Sequence, residues 1–185
     1  MDIVNHNKSA LETYVDNKNT WTIPVSEQEL ENTKNGNWNI VLTPKKSVPH
    51  NWFPDLKGLK ILGLASGGGQ QGPILAILGA DVTIFDNSEK QLRQDKTLSD
   101  KFDLNIKTVQ GDMKDLSVFA DNSFDLIFNP CSVLFVDNVL PVWKECFRVL
   151  KPNGILMTGL INPISFQLDD ENLNLIYKQP FSDLH

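Results

Sequence analysis

Cysteine is scarce in this chain: Cys131 and Cys146 are the two it has, and no short spacing joins them. That excludes a disulfide scaffold, and two thiols at no metal-type spacing fit a reducing cytoplasm. Histidine is almost as scarce. His6, His50 and His185 are scattered, which leaves no basis for a histidine-built metal site. Basic residues are outnumbered, 17 Lys and Arg against 23 Asp and Glu, giving a net charge of −6. A nucleic-acid partner calls for concentrated positive charge, so that class is set aside. No run approaches the ~18 apolar residues of a membrane span, and Met1-Asp2-Ile3-Val4-Asn5 lacks the basic and apolar regions of a secretory leader. The expected setting is the cytoplasm, with no membrane partner.

What is present is the composition of an ordinary folded protein. Across 185 residues, 41% are hydrophobic and 22% charged, enough for one domain with a proper core. Its centre of organisation is Ile61-Leu62-Gly63-Leu64-Ala65-Ser66-Gly67-Gly68-Gly69-Gln70-Gln71-Gly72. A short apolar run ending in small residues reads as a buried strand emptying into a glycine turn. Pro73 then marks the first helical position, and Ile74, Leu75, Ile77 and Leu78 recur at helical spacing. A backbone without Cβ admits a ligand to its peptide groups, and the first N–H groups of the helix face the turn. This is the pattern of a nucleotide-type site.

Residues 1–58 differ in texture from residues 59–185. They hold Trp21, Trp38 and Trp52 together with Pro24, Pro44, Pro49 and Pro54. Ser26-Glu27-Gln28-Glu29 matches a capping box and predicts a short helix through Leu30 and Lys34. Asn37–Thr43 reads as one extended piece, and the prolines around Trp52-Phe53 forbid regular helix there. The region is expected to be an irregular arm that lies over the main domain as a lid, with Trp52 and Phe53 either shaping a pocket or plugging the core.

From Lys60 onward, continuous apolar runs alternate with helical patterns. Strands are predicted at Lys60–Ala65, Asp81–Asp86, Asn105–Gln110, Phe124–Asn129 and Gly154–Ile161. Ser88 is placed to cap a polar helix, with Gln91 three residues on. A second helix from about Asn138 to Leu150 carries Leu140, Trp143, Phe147 and Leu150 on one face. Such alternation means an α/β, Rossmann-like doubly wound, mostly parallel sheet. Ligands of these sheets bind beyond the strand C-termini at the switch point.

Gly67 to Gly72 satisfies G-x-G-x-x-G, and Asp86 ends the next strand where a ribose-binding acid belongs. That much fits an NAD(P)-dependent oxidoreductase as well as an S-adenosylmethionine site. The later strand ends separate them. Gly111-Asp112-Met113 follows the third strand, then Ser123-Phe124-Asp125-Leu126-Ile127-Phe128, then Phe147-Arg148-Val149-Leu150-Lys151-Pro152-Asn153-Gly154. In these motifs the chain resembles the class I S-adenosylmethionine-dependent methyltransferases, in particular the small-molecule branch that includes quinone-biosynthesis enzymes. The resemblance runs from about Leu59 to Ile161.

It implies that the chain transfers a methyl group to a small-molecule acceptor. Gly63, Ala65, Ser66, Gly67 and Gly69 are then expected to line the methionine half of the cofactor. Asp86 takes the ribose hydroxyls, with Asn87 and Ser88 beside the adenine edge. Asp112 accepts from the adenine amine, Met113 packs on the purine, and Asn129-Pro130 lies near the transferred methyl. Two departures stand out. Relatives place an acid where this chain has Gly63, and their sheets carry two further strands beyond the fifth, for which Asn162–His185 is too short. On this reading the chain is truncated, or a second copy covers the open sheet edge. A catalytically silent cofactor-binding domain is the third reading that these departures allow. No residue stands out as a general base; Asp137 and His50 are the candidates by elimination.

Overall fold

A computed structural model describes residues 2–43, 46–162, 164, 168–169 and 174–175. The chain opens with α1 (Ile3–Asp16), a helix that the sequence pattern does not announce. Asp2 caps it by accepting the Asn5 N–H; the helix's sparse apolar positions Ile3, Val4, Leu11 and Tyr14 share one face, though none of them is fully buried. Next comes α2 (Glu27–Lys34), whose Ser26 and Glu29 form the expected capping box. A two-stranded ribbon of β1 (Val41–Thr43) and β2 (Lys46–Ser47) follows, then a 3₁₀ turn over His50–Trp52.

The main sheet is built from β3 (Lys60–Leu64), β4 (Asp81–Asp86), β5 (Ile106–Gln110), β6 (Phe124–Asn129) and β7 (Leu150–Thr158). Its helices are α3 (Gln71–Ile77) after β3, α4 (Glu89–Phe102) after β4 and α5 (Leu140–Val149) before β7. The strand order is β5-β4-β3-β6-β7 and every pairing is parallel. This is the doubly wound arrangement expected of near-continuous apolar strands, and the order reverses between β3 and β6. β7 is longer and starts earlier than expected, because residues 150–153 stay alongside β6 through an irregularity in the register. Among the described residues β7 is the outer strand on its side. Most of the segment from Asn162 to His185, on which the expectation about missing strands rests, lies outside the described residues. No helix of the described residues is long and apolar enough to cross a membrane.

Two apolar layers cover the sheet. On one face Ile61, Val82, Ile84 and Phe128 pack with Ile74 and Leu75 of α3 and with Ile40, Leu42, Val48 and Leu56. Residues of the N-terminal stretch therefore belong to the core itself. Phe53 packs near Phe128, whereas Trp52 is 61% exposed, so of the aromatic pair Phe53 alone fills space. The other face joins Leu62, Leu64, Phe85 and Ile127 to Val142, Cys146 and Val149 of α5.

That last contact corrects half of the predicted face of α5. Trp143 and Leu150 pack against this layer as predicted, but the buried stripe is Val142, Cys146 and Val149, while Leu140 and Phe147 are 63% and 85% exposed. Glu145 and Arg148 fix that rotation. Glu145 accepts the Leu116 N–H and pairs with Arg148, which donates to the Leu116 and Phe119 carbonyls. Pro73 also sits two positions further into its helix than predicted, still within the first turn, where no backbone donor is needed.

Candidate functional site

The strands β3, β4, β5 and β6 end at one rim, and a cavity of about 620 Å³ opens above it. That size is ordinary for a small-molecule site. One wall is the sheet rim. Ala65, Ser66 and Gly67 come from the glycine turn, Asp86 and Asn87 follow β4, Asp112 and Met113 follow β5, and Pro130 follows β6. Eight of the twelve residues expected from sequence thus share one wall. Ala65 and Cys131, facing the cavity after β3 and β6, both sit in the left-handed region at φ +47° and +46°. Non-glycine residues held there mark backbone that its surroundings over-determine, as at functional sites.

The other four expected residues stand behind this wall. Gly63 is inside β3, where an added Cβ would run into Ser66 Oγ and come within 2.6 Å of Ile84 Cδ1. An acid has no room at that position, because Ser66 fills the space from the turn. Gly69 backs onto Leu98 and Pro24. Ser88 is fully buried and its hydroxyl caps α4 by accepting the Gln91 N–H. Asn129 is a correction of substance. Its amide donates to the Leu64 carbonyl at 2.8 Å and to Ser132 Oγ at 2.6 Å, and its Oδ1 accepts from Thr158 at 3.0 Å. Its backbone carbonyl accepts the Gly159 N–H. Asn129 therefore ties three strands together, fully buried and with both amide protons committed. The bases by elimination are engaged elsewhere: Asp137 is paired with Lys114, and His50 is stacked on Trp38 with ring centroids 3.7 Å apart, and neither lines the cavity.

The electrostatics of the turn decide what it can bind. Asp86 Oδ2 accepts the Gly67 N–H at 3.0 Å and Oδ1 accepts the Ser88 N–H at 2.9 Å. Each carboxylate oxygen has a second lone pair, so both can still accept a hydroxyl from the cavity side. Behind the turn lies Asp95 of α4, fully buried, whose Oδ2 accepts the Gly68 N–H at 2.8 Å. Sequence pattern does not reveal Asp95, which sits in a polar helix nine residues beyond Asp86. Burial pushes both carboxyls upward, Asp95 to about 7 with the nearby Asp86 charge adding to the rise. A pyrophosphate-binding turn leaves its N–H groups free for an anion. Here the Gly67 and Gly68 N–H groups are already donated to carboxylates, and the negative charge behind the turn favours a cation. The arrangement suits a sulfonium and disfavours a dinucleotide.

The rim offers further matching groups. Asp112, half-buried on the cavity lining, accepts the Lys114 N–H on Oδ1 at 3.0 Å, which shapes the turn after β5, and its Oδ2 lies 4.0 Å from Lys114 Nζ. Ser66 Oγ is 95% buried with no protein partner, an orphaned polar atom on the cavity wall. Its hydroxyl, beside the small lining residues Ala65 and Gly67, fits the polar end of an S-adenosylmethionine-type ligand. Gln70, beside the turn, is spent elsewhere: its amide donates to the Trp21 and Ile23 carbonyls at 2.9 and 3.0 Å.

The opposite wall comes from the N-terminal stretch. Ile3, Val4, Leu11 and Tyr14 of α1, Trp21, and Val41 of β1 face the rim residues across the cavity. α1 is held by Asn7 to the Phe135 carbonyl, by Asn87 to the Val4 carbonyl and by the Asp16–Lys90 ion pair.

Comparison with known proteins follows the same line. Residues 62–158 match the family model described as methyltransferase domain. An uncharacterized methyltransferase of Bacillus subtilis, YbaJ, is 57% identical over 169 residues, which is 91% of this chain and 66% of that protein. A sterol 24-C-methyltransferase from Aspergillus fumigatus is 31% identical over 102 residues, covering 54% of this chain and 27% of that protein. The chain thus spans two thirds or less of the length of these relatives. Among solved structures, an S-adenosylmethionine-dependent methyltransferase from Mesorhizobium loti aligns with a TM-score of 0.58 and 25% identity, over 64% of this chain and 54% of that one.

Proposed function

Because this chain belongs to the class I, S-adenosylmethionine-dependent methyltransferase family, we propose that it moves the cofactor's methyl group onto a small, largely apolar acceptor held beneath α1. The observation that carries the reading is the pairing of two unlike walls around one cavity. The rim supplies carboxylates and small residues; the N-terminal wall supplies Ile3, Val4, Leu11 and Val41 with no carboxylate of its own. An uncharged, apolar acceptor suits that second wall, and acceptors of this kind are named for the sterol methyltransferase among the relatives.

In this reading Asp86 holds the ribose hydroxyls through its spare lone pairs, and Asp112 and Met113 flank the adenine. Ser66 Oγ and the backbone around Gly67 receive the methionine end, in place of the acid for which Gly63 leaves no space. The bound cofactor supplies an activated methyl on a positively charged sulfur. The chain's own residues supply proximity, alignment and exclusion of water, for which a covered apolar cavity is suited. Asn87, whose amide reaches the Val4 carbonyl, serves to hold the cover rather than the base.

Calorimetric titration with S-adenosylhomocysteine, with NADH as control, tests the site. Micromolar binding of the former and none of the latter is the expected result, and Asp86→Ala is expected to lose ~1.5–3 kcal/mol of it. Binding of NADH alone would reverse the assignment. Transfer of a labelled methyl group to a panel ordered from apolar to charged acceptors then tests the acceptor class.

A further inference from the structure

We propose that Asp95 is a positioning residue of the cofactor site: from α4 its buried carboxylate braces the back of the glycine turn, and its charge makes the site prefer a sulfonium to the neutral thioether. The inference rests on the methyltransferase reading and adds to it a residue that touches no ligand.

The geometry is specific. Asp95 is 0% exposed, and Oδ2 takes the Gly68 N–H at 2.8 Å, while Oδ1 is buried with no protein partner. An added Cβ at Gly72, in the first turn of α3, would lie 3.2 Å from that Oδ1, so the carboxylate is wedged between the turn and two helices. Bracing a turn requires one hydrogen-bond acceptor, which a neutral amide provides. A buried carboxylate with one oxygen unpaired is a costly way to provide it. The cost is offset if a cation arrives on the far side of the turn, and that is what the cofactor brings. Gly67 and Gly68 stand between, with Asp86 beside them holding the Gly67 N–H. The two carboxylates thus embrace the same stretch of backbone from two elements.

Asp86 of β4 is the charged group that acts on Asp95 directly, and the amide of Gln91 on its own helix is a polar neighbour at the turn. α3 carries no charged side chain. Lys8 and Glu12 of α1 act instead on Glu89 and Arg93, Lys101 pairs with Glu27 of α2, and Lys107 of β5 pairs with Asp81. With its carboxyl raised to about 7 by burial, Asp95 is charged at about pH 8 and largely neutral at about pH 6.

The experiment is calorimetry of the full chain with S-adenosylmethionine and with S-adenosylhomocysteine, which differ in the sulfonium charge. At about pH 8, Asp95→Asn keeps an acceptor for the Gly68 N–H and removes the charge. It is expected to weaken S-adenosylmethionine roughly three- to tenfold more than S-adenosylhomocysteine, the scale of one charge acting over roughly 12–25 Å at an effective dielectric of about 20. Equal loss for the two ligands would make Asp95 a neutral brace and overturn the proposal. The unaltered chain gives an independent reading that no folding defect can obscure. Its preference for the sulfonium is expected to grow severalfold from about pH 6 to about pH 8, and a flat ratio would also overturn it. If neither ligand binds the unaltered chain, the methyltransferase reading itself falls, a result distinct from both.

Discussion

The two walls of the cavity are built on opposite principles. The rim wall is polar, buried and fastened by hydrogen bonds that leave few atoms free: Asp86 holds two N–H groups, Asp95 one, and Asn129 joins three strands. The wall beneath α1 is apolar and lightly attached. No residue of α1 is buried, and among the described residues its side-chain ties to the rest are the Asn7–Phe135, Asn87–Val4 and Thr22–Tyr14 hydrogen bonds and an ion pair with side chains 36% and 59% exposed. Exposed pairs of that kind contribute little. A rigid rim suits a cofactor that is the same in every turnover; a loosely held cover suits an acceptor that must enter and leave.

The rim should resist change most strongly. Gly63→Asp is expected to cost at least about 3 kcal/mol of stability, because the side chain meets Ser66 and Ile84 and buries a charge. Urea unfolding measures it. A stable variant with tighter cofactor binding would show that the rim is looser than described. The next effect is the pH response of the rim. Asp95 has a folded pKa of about 7 against an ordinary 3.8, so the folded state holds the extra proton. Its contribution to stability is fully present below the ordinary value and is lost as pH rises through about 7. The ligand-free chain should therefore melt at a higher temperature at about pH 5.5 than at about pH 8, with Asp95→Asn flattening the difference. The smallest effect tests the join between the walls. Gln70→Ala removes two hydrogen bonds to Trp21 and Ile23 and is expected to cost ~1 kcal/mol. Hydrogen exchange should show faster exchange in residues 21–25 with β3 unchanged; equal loosening of both would erase the contrast.

Legibility in the sequence follows the same division. Strands buried on both faces announce themselves as apolar runs, so β3, β4 and β6 are placed within a residue, as is the edge strand β5 from its β-branched residues, and the caps at Ser26 and Ser88 follow from local hydrogen-bond chemistry. α1 is not legible, because its apolar positions Ile3, Val4, Leu11 and Tyr14 are few and are separated by the polar residues 5–9. The face of α5 is misread for the opposite reason: too many apolar positions offer two stripes, and the Glu145–Arg148 tie to the loop at 116–121 selects between them. At the site, positions at strand ends are readable because topology brings strand ends together. Asp95 and the commitments of Asn129 are not, since they depend on which partner a side chain meets across the fold.

The strand order has a consequence for how the chain assembles. Leu62 pairs with Thr83 on one side and with Ile127 on the other. The first partner lies just beyond one short helix; the second must wait until the whole β4–β5 half has been made. A chain emerging from the ribosome can zip β3, β4 and β5 in sequence, each closing a short loop, before β6 exists to join them. The glycine turn, Asp86, Asp95 and Asp112 all belong to that early half. The cofactor's pocket is thus a seam: one lip is complete while the other is still being synthesised, and the last central strand to arrive, carrying Asn129, is the one that sews it shut.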